Sequence, residues 1–131
     1  MVKVLHITYR FGGDIIGGAE NYLWNLSRQL ASRGVDVYLV CATRGEVGEM
    51  PPDMMAGFNT VGEKRESELR CAGNILGLKS IFFLGYRDSG MPGTPDNNHP
   101  QALAAQPVET VAEEVARYIR KLKPAVVITF D

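Results

Sequence analysis

The chain has 131 residues, of which 45% are hydrophobic and 22% charged, and its formal net charge is −1. This length predicts a single domain, and the near-neutral charge excludes a basic surface for nucleic acid or an anionic membrane. No apolar run approaches the roughly 20 residues that span a bilayer, and no charged-then-apolar leader precedes the first strand. We therefore expect one cytoplasmic domain, residues 1–131, without nucleic-acid or membrane partners.

Short apolar segments rich in β-branched and aromatic residues predict four strands, and apolar spacings of three and four predict three helices. Gly34 and Gly77 follow the first two helices as typical helix stops. In chain order the predicted elements are strand 2–8, helix 17–33, strand 35–42, helix 63–76, strand 80–85, helix 107–123 and strand 125–130. This alternation predicts an α/β fold, a three-layer Rossmann-like partial domain with four parallel strands in the order 3-2-1-4 and helices on both faces.

Two segments without a regular pattern, 45–62 and 86–106, follow the second and third strands. Open α/β sheets bind ligands at the carboxyl ends of their strands, so both segments are candidates for a binding site. Cys41 and Cys71 lie in a predicted strand and a predicted helix, and their separation favours buried free thiols over a disulfide or a metal pair.

Four glycines in "FGGDIIGGAE", namely Gly12, Gly13, Gly17 and Gly18, lie where the first strand passes into the first helix. Their spacing matches neither G-x-G-x-x-G nor a P-loop. One interpretation is an anion or phosphate site built from free amides at a helix start. The other is a tight turn that allows close packing of helix against strand.

Residues 1–42, with "VKVLHITYRFGG" and "GGAENYLWNLSRQLASRGVDVYLV", resemble the opening of a nucleotide-sugar-dependent retaining glycosyltransferase of the GT-B fold. The resemblance implies a glycine loop at a cleft between two domains, close to acceptor and donor phosphates. It implies a sugar nucleotide as ligand, held mainly by a carboxyl-terminal domain that is missing here.

Residues 35–131 resemble another family, the LmbE/PIG-L-like zinc-dependent N-acetylglucosaminyl de-N-acetylases. The resemblance rests on "VDVYLVCATRGEVGE", "GEKRESELRCAGNILGL", "FLGYRDSGMPG" and "KPAVVITFD", which occur in order at compatible spacing. It is the main resemblance of the chain and implies a hydrolase acting on the amide of an N-acetylated sugar.

Five residues are candidates for a remnant of that family's pocket: Thr43, Arg44, Arg65, Asp88 and Asp131. The resemblance implies that Arg65 faces the pocket and holds a sugar or its substituent. The alternative is a solvated face at the start of a helix, with an i, i+3 ion pair. Asp88 precedes Ser-Gly, so a turn-forming role competes with a pocket role. Asp131 ends the fourth strand, on the side where such sheets carry their sites.

A hydrolytic zinc site needs about three protein ligands and one open position. The resembled family takes its ligands from an "HPDD"-type motif after the first strand and an "HPDH"-type motif after the fourth. Here the first position holds one isolated aspartate, Asp14, and we expect the chain to be truncated before the second. His6 is expected to be a buried strand residue and His99 a loop residue. We therefore expect no metal ligands and no cofactor for this chain.

Together the two resemblances suggest a chimera that joins a glycosyltransferase-like segment, 1–42, to a de-N-acetylase-like segment, 35–131. Three functions stay open: an incomplete de-N-acetylase-like domain without hydrolysis of its own, a sugar-nucleotide or phosphate-binding half of a glycosyltransferase, and a zinc amidohydrolase completed by another chain. The fourth strand would be an apolar sheet edge, so we expect a homodimer through residues 125–130.

Overall fold

A computed structural model describes residues 1–8 and 18–130. Strands and helices alternate along these residues, with three short 3₁₀ turns in the two long connections. The elements are β1 (Lys3–Thr8), α1 (Gly18–Ser32), β2 (Asp36–Cys41), α2 (Val61–Leu76), β3 (Ser80–Phe83), α3 (Val108–Leu122) and β4 (Val126–Ile128). Each predicted helix and strand is therefore present, and most bounds lie within one or two residues of those expected.

The four strands form one parallel sheet in the order β3-β2-β1-β4. This order confirms the predicted topology. The centre of the sheet is β1 and β2, whose side chains are largely buried, because both faces of these strands are covered. That double cover is the physical reason for their near-continuous apolar sequence.

Side chains alternate between the two faces of the sheet and form two cores. On one face Leu39 and Cys41 pack with residues of α1 and α2, including Leu23 and Leu69. On the other face Leu5, Val40 and Leu122 form a second core with partly buried residues of α3. The sheet is therefore sandwiched between two helical layers, as the sequence predicted.

The ends of the helices follow local capping rules. Thr60 Oγ1 accepts the backbone N–H of Glu63 at 3.1 Å, which fixes the start of α2. Gly77 ends α2 in the left-handed region at φ 79°, and the Leu78 N–H donates to the Gly73 carbonyl at 2.9 Å. The helix α2 begins at Val61, two residues before the expected position 63, because its Thr60 cap lies earlier in the chain. Arg65 therefore lies in the second turn of the helix.

The two cysteines differ in their exposure. Both cysteines are free, but only Cys41 is buried; Cys71 is exposed on α2, which corrects the prediction of two buried thiols. Cys71 lies on the solvent side of a helix whose inward-facing residues are Leu69, Gly73 and Leu76.

Across the described residues, no helix is both long and apolar enough to cross a bilayer.

Candidate functional site

The loops after β2 and β3 and the first turns of α2 meet at the carboxyl edge of the sheet. This convergence is a consequence of parallel strands, whose carboxyl ends share one edge, and of α2, which runs back from it. The Arg44 guanidinium, from the β2 loop, pairs with Glu66 of α2. The Asp88 N–H, from the β3 loop, donates to Glu46 Oε2 of the β2 loop at 2.9 Å. We call these three segments, 43–48, 61–70 and 86–90, the edge site.

Arg65 lies half-buried over the glycines of the β2 loop. A Cβ built on Gly48 would lie 2.5 Å from Arg65 Nη2, and one on Gly45 would lie 3.3 Å from Nη1. The expected alternative, a solvated helix face with an i, i+3 pair, is wrong, because Glu68 instead pairs with Lys64 at 3.1 Å. The glycines leave the space into which the guanidinium of Arg65 folds.

The arginines of the edge site differ in their partners. Arg44 and Arg70 both pair with Glu66, and both stack on the Phe83 ring, at 4.6 and 5.3 Å from its centroid. The hydrogen bond from Arg44 is the main cause that holds the pKa of Glu66 below its usual value. Arg65 has no carboxylate partner among the described residues, and its buried Nε has no acceptor there. The positive charge of the Arg65 guanidinium is therefore available to a ligand.

Asp88 makes the turn-forming contact that the sequence offered as one of two roles, and its pocket role stays a prediction. Its Oδ1 accepts the Gly90 N–H at 3.1 Å, which is the turn-forming contact. Its Oδ2 accepts the N–H of Val47 at 3.4 Å, so the carboxylate also joins the two loops. Thr43, another candidate in a loop, accepts the Gly45 N–H through its hydroxyl oxygen at 3.4 Å. Both residues therefore shape the edge site by holding backbone.

Two residues that sequence reasoning did not select belong to the same region. Glu46 accepts the Asp88 N–H, as described above, and Arg87 pairs with Asp96 at 2.6 Å through Nη2. The role of Glu46 was not predictable from the sequence, because Glu46 and Asp88 are 42 positions apart in the chain. The only available signal was that both charged residues follow strands.

Most of the remaining candidate residues fall in parts of the chain that the structure does not describe. Gly12, Gly13, Gly17, Asp14 and Asp131 lie outside the described residues. Gly18 is the first residue of α1 and is exposed, and a Cβ there would meet nothing within 4 Å. Close packing therefore gives no reason for glycine at position 18, which corrects that interpretation for this one residue.

The histidines and acidic residues of the described chain do not come together as a set of zinc ligands. Within residues 1–8 and 18–130, no group of three His, Cys, Asp or Glu side chains could hold a metal ion. His6 is fully buried in β1 between Leu39 and Ile128, and burial lowers its pKa to about 4. His99 Nδ1 accepts the Gln101 N–H at 3.1 Å, so this residue is part of a turn. Both histidines occupy the expected places, and the described residues do not fit a hydrolytic zinc site.

The fold and the edge site define an α/β domain whose polar groups gather at the carboxyl ends of parallel strands. A model of the family described as GlcNAc-PI de-N-acetylase matches residues 22–131, which is most of the chain. The chain belongs to this family. The match begins 13 positions before residue 35, so the family segment extends back into α1.

Individual relatives agree with this assignment. A protein of Nocardiopsis dassonvillei named 1D-myo-inositol 2-acetamido-2-deoxy-alpha-D-glucopyranoside deacetylase is 42% identical over 110 residues, covering 77% of this chain and 39% of the relative. A protein of the same name from Acidothermus cellulolyticus is 44% identical over 110 residues, covering 77% and 38%. The chain therefore spans about two fifths of the length of these relatives.

A solved structure has the same fold. The N,N'-diacetylchitobiose deacetylase of Pyrococcus horikoshii, bound to an inhibitor, superposes with a TM-score of 0.63 at 25% identity, covering 95% of this chain and 39% of that one. The predicted resemblance to de-N-acetylases is thereby confirmed. The glycosyltransferase resemblance of residues 1–42 has no support in these comparisons and stays a prediction.

Proposed function

We propose that the edge site binds an N-acetylated amino sugar, as part of a de-N-acetylase-like domain that does not hydrolyse the amide on its own. The observation that carries the proposal is Arg65, a guanidinium without a carboxylate partner among the described residues, which lies against the glycines of the β2 loop. The Val47 N–H of the same loop donates to Asp88 Oδ2. The donors of Arg65 can reach an acetyl carbonyl or a sugar hydroxyl, since such a fork suits planar oxygen acceptors. The names of the relatives, which are deacetylases of 2-acetamido sugars, support this class of ligand.

The proposed lack of hydrolysis is supported by the donor groups of the described residues. Water attack on an unstrained amide needs an activated nucleophile, and zinc supplies one only where about three ligands converge. The two histidines are committed elsewhere, His6 to the interior of the sheet and His99 to a turn. What the edge site can do is bind and orient a sugar.

Two measurements on the 131-residue chain test this function. Titration with the methyl glycoside of N-acetylglucosamine, followed by NMR, should shift amide signals of residues 44–48 and 86–90. Acetate release from the same compound and from an N-acetylglucosaminyl inositol, with and without added zinc, should stay at the level of a no-protein control. Zinc-stimulated turnover by this chain alone would refute the inactivity, whereas unmoved amide signals would refute sugar binding.

The second candidate is that residues 1–42 come from a nucleotide-sugar glycosyltransferase, joined to a de-N-acetylase-like segment in a chimera. Its support is the glycine-rich segment 12–18 that carries the resemblance, which the family match, beginning at residue 22, does not include. On this proposal the loop binds the phosphates of a sugar nucleotide. Calorimetry with UDP- and GDP-sugars decides: heat at millimolar ligand supports it, and none refutes it.

The proposed homodimer concerns the other end of the sheet. Val126, Val127 and Phe130 are 49%, 39% and 36% exposed at the β4 edge, a large fraction for apolar strand residues. Such an edge offers unpaired backbone groups to a second copy. Light scattering should give a dimer that Val127→Lys converts to a monomer; a wild-type monomer at high concentration would refute the proposal.

A further inference from the structure

We propose that Glu46 is a positioning residue. It fixes the β3 loop and the Asp88 carboxylate relative to the part of the β2 loop on which the Arg65 side chain lies. The ligand part of this inference rests on the proposed sugar-binding function. The positioning part rests on contacts within the chain and can be tested without a ligand.

The contact between the two loops is reciprocal. The Asp88 N–H donates to Glu46 Oε2 at 2.9 Å, and the N–H of Val47, the next residue after Glu46, donates to Asp88 Oδ2 at 3.4 Å. The second oxygen of Asp88 accepts the Gly90 N–H at 3.1 Å. Each acidic side chain therefore holds the backbone of the opposite loop, and the Asp88 carboxylate cannot turn without breaking both of its contacts.

The surrounding glycines leave space for this arrangement. A Cβ on Gly62, in the first turn of α2, would lie 2.9 Å from Glu46 Cγ. A Cβ on Gly90 would lie 3.2 Å from Val47 Cγ1, and Gly90 has a φ of 60° that side chains disfavour. Glu46 thus lies between the start of α2 and the β3 loop, with close contacts on both sides.

The same β2 loop provides the surface on which the Arg65 side chain packs. Gly45 and Gly48 flank Glu46 and Val47, and both lie against the Arg65 side chain. A shift of Glu46 would therefore move the glycines under the guanidinium and the N–H groups that orient Asp88. No ion pair of Glu46 occurs among the described residues, so Glu46 acts through the hydrogen bond that it accepts from the Asp88 N–H.

The test compares Glu46→Ala, Glu46→Gln and Gly62→Ala with Glu49→Gln, an exposed neighbour in the same loop. Amide hydrogen exchange is measured for Asp88, with Leu39 in the central strand as an internal reference for global unfolding. Loss of one hydrogen bond corresponds to roughly tenfold faster exchange of the Asp88 amide in Glu46→Ala. Glu46→Gln keeps an acceptor oxygen and should restore most of the protection. Gly62→Ala, which pushes on Glu46, should lose it.

Sugar affinity, measured by the NMR titration above, should fall about tenfold in Glu46→Ala and recover in Glu46→Gln. Equal acceleration of the Asp88 and Leu39 amides, or unchanged Asp88 exchange, would overturn the positioning role. If wild type binds no sugar while the exchange pattern holds, the proposed function fails and the positioning role stands.

Discussion

Gly48→Ala displaces the Arg65 guanidinium with a single methyl group. The new Cβ would lie 2.5 Å from Arg65 Nη2 and 2.9 Å from Cζ, whereas ordinary contact begins at 3.4 Å. The guanidinium must therefore move by about 0.9 Å, the difference between 3.4 and 2.5 Å. The remaining contact, 3.3 Å to the Gly45 carbonyl oxygen, needs only a small adjustment.

This movement should affect binding much more than stability. The displaced atoms are the far end of a flexible side chain, and position 48 has no positive φ, so we expect the free energy of unfolding to change by less than about 1 kcal/mol. A hydrogen bond from a charged group contributes about 1.5–3 kcal/mol. Its loss corresponds to a dissociation constant for the sugar roughly 10- to 100-fold higher.

The assay is the NMR titration with the methyl glycoside of N-acetylglucosamine, on wild type, Gly48→Ala, Arg65→Ala and the loop control Glu49→Gln. Gly48→Ala should weaken binding nearly as much as Arg65→Ala, and Glu49→Gln should bind like wild type. Chemical denaturation gives the stability of each variant. The reasoning is refuted if Gly48→Ala binds like wild type while Arg65→Ala does not, because Arg65 would then act from a place away from the loop.

Three other outcomes are expected. Burial lowers the pKa of His6 from 6.5 to about 4, so the unfolded chain binds this proton at a higher pH than the folded chain does. The free energy of unfolding should therefore decrease by about 3 kcal/mol as pH falls between these two values. Urea denaturation at each pH measures this decrease, and His6→Gln should remove most of it. The exposed thiol of Cys71 should react with a thiol reagent at once. The thiol of Cys41 should react only on unfolding, because burial raises its pKa to about 12. Rapid labelling of both thiols would contradict the packing of β2. Glu66→Gln should cost about 1 kcal/mol in thermal unfolding, since it weakens two partly exposed ion pairs. Glu113→Gln, which weakens one mostly exposed pair, should cost less than half as much.

The fold was predictable because its signals are local. Apolar runs such as 35–42 mark strands covered on both faces, and Gly34 and Gly77 mark helix ends through backbone conformations that side chains disfavour. The start of α2 was misplaced because its cap, Thr60, lies in a segment without apolar periodicity. Boundaries of this kind depend on single hydrogen bonds, which periodicity does not contain.

The edge site was predictable in location and only partly in membership. Arg65 and Asp88 were indicated by motif, and their position followed from the shared edge of parallel strands. Glu46 was missed, because its partner is a backbone N–H 42 residues away. The exposed side of Cys71 was likewise decided by which stripe of α2 faces the sheet.

By itself the sequence determined the α/β class, the strand order, the family and the scarcity of histidine, since periodicity, motif order and composition are properties of the chain. Only the tertiary structure decided which charges are already paired. Arg44 and Arg70 share Glu66 with each other, while Arg65 folds over two glycines without a carboxylate partner in the described part of the chain. The reason is physical: an ion pair forms between side chains that folding brings within about 4 Å, and chain order does not specify that distance.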